Sequence, residues 1–72
     1  MRITYDHEAD ALYIQLREGE PADSQDLEEG VTADMDAAGH ILGIEVLDAS
    51  VRMGADGLDT IALEHLPLMA RS

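Results

Sequence analysis

The sequence predicts an α+β fold that is mainly β: an antiparallel sheet of two hairpins, about four strands, with a short C-terminal helical segment. Three observations carry this. Residues 11–16 alternate apolar and polar with period two. Residues 31–36 and 40–47 do the same on either side of Asp36-Ala37-Ala38-Gly39. A stripe of helical spacing occurs only after residue 57.

The first hairpin joins residues 2–5, with Ile3 and Tyr5 on one face, to residues 11–16, with Leu12, Ile14 and Leu16 on one face. A turn at Asp6–Ala9 would set Tyr5 opposite Asp10, Ile3 opposite Leu12 and Met1 opposite Ile14, so the apolar faces coincide. Glu18-Gly19-Glu20-Pro21 then breaks the chain. Residues 22–28 are polar apart from Leu27, and beside Pro21 they suit an edge strand or a loop, where their acids would deter edge-to-edge pairing.

In the second hairpin Val31, Ala33 and Met35 face the same way as His40, Leu42, Ile44 and Val46. Asp suits the start of a type I turn, and Gly a closing position with positive φ. A four-residue loop would pair Met35 with His40, Ala33 with Leu42 and Val31 with Ile44. A slip of one residue would set Asp34 against Leu42. Asp48-Ala49-Ser50 supplies N-cap candidates for a helical turn through Met53. Residues 58–69 fit a helix through Leu58, Ile61, Ala62, His65, Leu66 and Met69, limited by Pro67. The chain thus reads as a single domain over 1–72, with a β core over 1–53 and a C-terminal extension over 54–72.

Seventy-two residues make a thin core, here built without Phe or Trp and stapled by no disulfide, since Cys is absent. A core of this size rarely supplies more than about 3–5 kcal/mol. A homodimer or a heterocomplex is therefore expected. Sixteen Asp and Glu against four Arg and no Lys give a formal net charge of −12. Nucleic acid and anionic membranes are poor partners for such a surface, and a basic protein is a natural one. Interface candidates are Ile41 and Leu47, apolar residues on the polar face of their strand, with Leu63, Leu66, Leu68 and Met69 in the tail. The opening residues form no signal peptide, and no apolar run spans a bilayer, so a cytoplasmic location is expected.

No catalytic constellation is evident. Ser24, Ser50, Ser72, Thr4, Thr32 and Thr60 sit in no nucleophile motif, there is no phosphate-binding glycine loop, and no cofactor is assigned. Asp34, Asp36, Gly39, Ile41 and Glu45 fall at EF-hand spacing. However, Ala38 replaces a ligand, Leu42 stands where a polar ligand is usual, and the flanks have the period of strands. Asp6, His7, Glu8 and Asp10 are the densest polar cluster. They read as a turn in which Asp6 caps and Glu8 and Asp10 are solvated. A divalent-metal site there, in a metal-dependent enzyme or sensor, is the alternative. His40 is expected to line the end of the apolar face, and His65 a helix surface or an interface.

Two stretches carry a family pattern: Tyr5-Asp6-His7-Glu8-Ala9-Asp10-Ala11-Leu12-Tyr13-Ile14, and Gly39-His40-Ile41-Leu42-Gly43-Ile44-Glu45-Val46-Leu47-Asp48-Ala49-Ser50. Together they resemble the bacterial family known as domain of unknown function 2283, over roughly residues 1–53. The resemblance implies a small β-rich fold with no established activity and supplies no catalytic residue. The association of some relatives with toxin-like neighbours implies an antitoxin role, as the acidic partner of a basic, RNA-directed toxin. The expectation is a non-enzymatic protein–protein interaction module.

Overall fold

The computed structural model describes residues 1–54 and 57–67. Their elements are β1 (Arg2–Asp6), β2 (Ala11–Gln15), β3 (Asp23–Glu28), β4 (Val31–Met35), β5 (Ile41–Val46) and α1 (Ala49–Met53). The strands form one antiparallel sheet in the order β1-β2-β5-β4-β3. The mainly β class stands, with five strands in one sheet instead of about four in two hairpins. The fifth is β3, which takes an edge position, pairing Asp23 with Met35 and Gln25 with Ala33. The two expected hairpins merge because β2 pairs with β5, Leu12 opposite Val46 and Ile14 opposite Ile44.

Both hairpin registers differ from expectation by two residues, which leaves the faces unchanged. In the first, Tyr5 lies opposite Leu12 and Ile3 opposite Ile14, because Asp6 stays in the strand opposite Ala11. Its carboxylate accepts the amides of Glu8 at 3.0 Å and Ala9 at 3.2 Å, and Asp10 closes the turn at φ 52. In the second, Ala33 lies opposite Ile44 and Val31 opposite Val46. A register shift between Asp34 and Met35 leaves Leu42 unmatched and pairs Met35 with Ile41. Such a bulge inserts one residue into a ladder. The loop is held by Asp36, whose carboxylate accepts the amides of Ala38 and His40, with Gly39 at φ 90.

One face collects two apolar rows across the strands: Ile3, Ile14, Ile44, Ala33 and Tyr5, Leu12, Val46, Val31. Among the described residues only Ala33, Leu42, Val46 and Ala49 are buried apolar side chains. Ile3, Leu12, Ile14, Val31 and Ile44 are half-buried. The covering layer explains this. It consists of the single turn α1 and the segment after it, which leave a cavity of about 210 Å³ between Met53, Leu58 and Ile61 above and Ile3, Leu12 and Ile14 below. Toward the other end Gly19 of the β2–β3 connection rests on Leu42.

The helix expected over 58–69 does not form within the described residues; 57–59 are a turn and 60–67 carry neither helix nor strand. His65 adopts φ 58, outside the helical region, and Pro67 disfavours helical backbone at Leu66. So short a stretch could not repay helix nucleation without a face to pack on. His65 is instead highly exposed, and so is His40, which leaves the apolar face for Asp36 Oδ2 at 3.3 Å. The helical turn through Met53 does form, but neither candidate cap performs as expected. Asp48 takes a left-handed conformation and makes no side-chain cap.

Candidate functional site

The helix cap comes from another hairpin. Asp10 sits half-buried in the β1–β2 turn. Its carbonyl accepts the Ala49 amide at 3.0 Å. Its carboxylate accepts the Ser50 amide at 3.0 Å, the Ser50 hydroxyl at 2.7 Å and the Tyr5 hydroxyl at 2.6 Å. These bonds, from Tyr5 foremost and then Ser50, hold the Asp10 carboxyl below its ordinary range. The same contact raises the Tyr5 phenol. A carboxylate at a helix start is doubly placed, since it meets unpaired amides and the positive end of the peptide dipoles. The sequence predicts a solvated Asp10; in the structure it ties the first hairpin to α1.

A second clamp fixes the other end of the helix. Arg52 donates to Glu28 at 2.8 Å, to the Leu47 carbonyl at 3.0 Å and to the Glu29 carbonyl. Its guanidinium lies against Gly30, which has φ 87, so a side chain there would be strained and would displace the guanidinium. Both knots buttress the end of the sheet where Leu47 emerges from β5.

On the opposite, polar face, Tyr13 reaches from β2 across β5 to donate to Asp34 on β4 at 3.1 Å. It can do so because Gly43 lies beneath the ring; a Cβ there would collide with the phenol. Burial and then the Asp34 contact raise the Tyr13 phenol above its ordinary value. Beside this ring lies an open groove of about 690 Å³. It brings Ala11, Tyr13 and Leu47 together with the carboxylates of Asp6, Glu8 and Glu45. The groove can accept an extended chain that carries cations and apolar side chains in turn.

The structure gathers some of the expected site residues and separates others. Leu47 joins Asp6, His7 and Glu8 in the groove. Ile41 is equally exposed but lies at the far end of β5. Leu63 and Leu66 are exposed on the C-terminal segment; Leu68 and Met69 lie outside the described residues. Of the polar cluster, Asp6 serves the turn and Asp10 serves Tyr5 and Ser50, so the four side chains do not converge. Among the described residues no three carboxylate or imidazole side chains are grouped to hold a metal ion. The EF-hand residues are likewise dispersed, Asp34 to Tyr13 and Asp36 to its own turn. Sequence reasoning misses Tyr13 and Glu45 as groove residues and Arg52 as a buttress. The Gly43-Ile44-Glu45 spacing is the available signal for the first two, since a glycine inside a strand marks a close approach.

Among the described residues no helix is long and apolar enough to cross a membrane. A family model described as protein of unknown function (DUF2283) matches residues 2–50. No curated protein and no solved structure matches the chain.

Proposed function

The chain belongs to the family described as protein of unknown function (DUF2283), and from that premise we propose that it is a non-catalytic interaction module whose groove receives a basic segment of a partner protein. The observation that carries this reading is the composition of the groove. Ala11, Tyr13 and Leu47 offer apolar contact, and Asp6, Glu8 and Glu45 surround it with negative charge. Charge complementarity selects a basic partner and steers its approach, and the −12 net charge of the whole chain strengthens that field. The exposed Leu47, at 41 % of its free surface, is the apolar anchor. A basic, RNA-directed toxin is a partner of this chemistry, which makes the antitoxin role one instance of the reading.

The test is a titration of isotopically labelled protein with an arginine-rich peptide containing leucine, followed by amide chemical shifts. Localised shifts at Ala11, Tyr13, Glu45 and Leu47, lost in Leu47→Asp, are expected. Diffuse shifts along every acidic segment, unchanged in Leu47→Asp, would overturn the reading.

A further inference from the structure

Among the described residues the sheet has two open edges, β1 and β3. They differ in charge and regularity. β3 carries Asp23, Asp26 and Glu28, and its ladder with β4 shifts between Asp26 and Glu28. Full-length antiparallel pairing of β3 with its own copy would set Asp23 against Glu28. Acids and bulges of this kind block an edge. β1 is different: Arg-Ile-Thr-Tyr-Asp, regular throughout, with one cation at its start and one anion at its end.

We infer that β1 is a self-association edge, pairing antiparallel with β1 of a second copy about a two-fold axis at Thr4. In that register Arg2 lies opposite Asp6 of the second copy, Ile3 opposite its Tyr5, and Thr4 opposite its Thr4. All five residues match. Opposite charges, an aliphatic–aromatic pair and paired threonines are each favourable cross-strand combinations. A slip of one residue sets Ile3 against Thr4 and mixes the faces. A slip of two keeps the faces but removes the Arg2–Asp6 pairs. Among the described residues Arg2 makes no ion pair within its own chain, and both Arg2 and Asp6 are exposed.

The surroundings repeat the polarity of the strand. Arg17 borders the same shallow surface as Arg2, together with Glu18, while Asp6 is followed by Glu8 at the other end. Antiparallel pairing brings these unlike ends together twice. The axis stands perpendicular to the sheet, so the two apolar faces become one side of a ten-stranded sheet, twice the five strands of one chain, and the two grooves lie on the other. Tyr5, 40 % exposed in one chain, gains an apolar neighbour. The interface is isologous, as two-fold dimers require. It shares Thr4, Tyr5 and Asp6 with the rim of the groove and leaves Ala11, Tyr13, Glu45 and Leu47 free, so it goes beyond the reading above.

Because the chain has no cysteine, Thr4→Cys gives a clean report. Directly opposed strand residues have Cα atoms about 4.5–5.5 Å apart, within disulfide reach. The full chain is expected to run as a dimer in light scattering, and Thr4→Cys to cross-link under mild oxidation while Ser24→Cys on β3 does not. Arg2→Asp and Asp6→Arg each set like charges opposite each other and are expected to weaken the dimer about tenfold or more. An equimolar mixture of the two variants recovers dimer, because in the mixed pair each end of the interface sets an Asp of one chain against an Arg of the other. Circular dichroism checks that Asp6→Arg folds, and the cysteine result stands without it. A monomer at millimolar concentration, or a dimer indifferent to Arg2→Asp with no Thr4→Cys cross-link, would overturn the inference. The second outcome leaves the groove reading intact, because the peptide titration tests that separately.

Discussion

Asp10 and Ser50, forty residues apart in the chain, are joined by two hydrogen bonds at 3.0 and 2.7 Å, and through them the first turn of the sheet caps the only helix described. The Ser50 amide is a helix-start donor with no intrahelical partner. Asp48 cannot serve it, being left-handed at φ 53. Replacing Asp10 by Asn weakens the cap by removing its charge, and the pH dependence follows from the lowered carboxyl. Because the folded-state value lies below the ordinary 3.8, the stabilisation is full above that value and is lost as pH falls through the folded one. Melting curves are expected to show Asp10→Asn below the parent by a constant margin above about pH 5. The margin should shrink below the ordinary value. An equal margin at every pH would mean that the charge plays no part.

The phenols move the other way. Tyr5 and Tyr13 are the only tyrosines, and there is no Trp, so ultraviolet absorbance reports them without interference. Both are raised above 10.0, Tyr5 by its bond to Asp10 and Tyr13 first by burial. Stability that depends on these neutral phenols is present below 10.0 and is lost as pH rises through the higher folded values. Native protein is expected to ionise its tyrosines later than urea-unfolded protein. Tyr5→Phe and Tyr13→Phe should each leave one late transition.

Leu42 is the largest of the buried apolar side chains described. It is 3 % exposed and is one of four buried apolar side chains described, two of which are alanines. Leu→Ala in a core costs about 2–5 kcal/mol, against a total of about 3–5 kcal/mol for a core of this size. Leu42→Ala is expected to be largely unfolded at room temperature even without denaturant, as read by circular dichroism. Leu63→Ala, on an exposed residue, should keep its unfolding free energy within about 0.5 kcal/mol of the parent.

These contrasts show what the sequence could and could not disclose. The faces of β1, β2, β4 and β5 were legible because alternation is a local property, readable within a single strand. The registers were off by two because Asp6 and the Leu42 bulge decide them, and a shift of two leaves the alternation unchanged. β3 was half legible, since its acids fit an edge strand and a loop equally well. The C-terminal stripe misled because Leu58 and Ile61 fit a helix, yet they only border the cavity above the sheet from non-helical backbone, and Ile61 stays exposed. Of the site, Leu47 and the Asp6–Glu8 turn were legible as residues, but not as one groove. The Asp10–Ser50 knot was hidden because its halves lie in separate stretches, both of which fall inside the family match.

Gly43 carries the last prediction, because it decides whether the polar face keeps its shape. The residue is buried in the central strand, opposite Gln15 on β2 and Asp34 on β4. Its absent side chain is the space that Tyr13 fills on its way to Asp34. A Cβ at 43 would also come within 2.9 Å of the Ile14 carbonyl, which is backbone and cannot swing aside. Overpacking of this kind costs about 1–3 kcal/mol. Gly43→Ala is thus expected to lower stability by about that amount and to push the Tyr13 ring outward, breaking its bond to Asp34. Tyr13→Ala removes the ring that collides, so the double variant should recover part of the loss through a favourable coupling between the two sites. The measurement is a double-mutant cycle by urea unfolding. Strict additivity would mean that the Ile14 backbone, and not the phenol, sets the requirement for glycine.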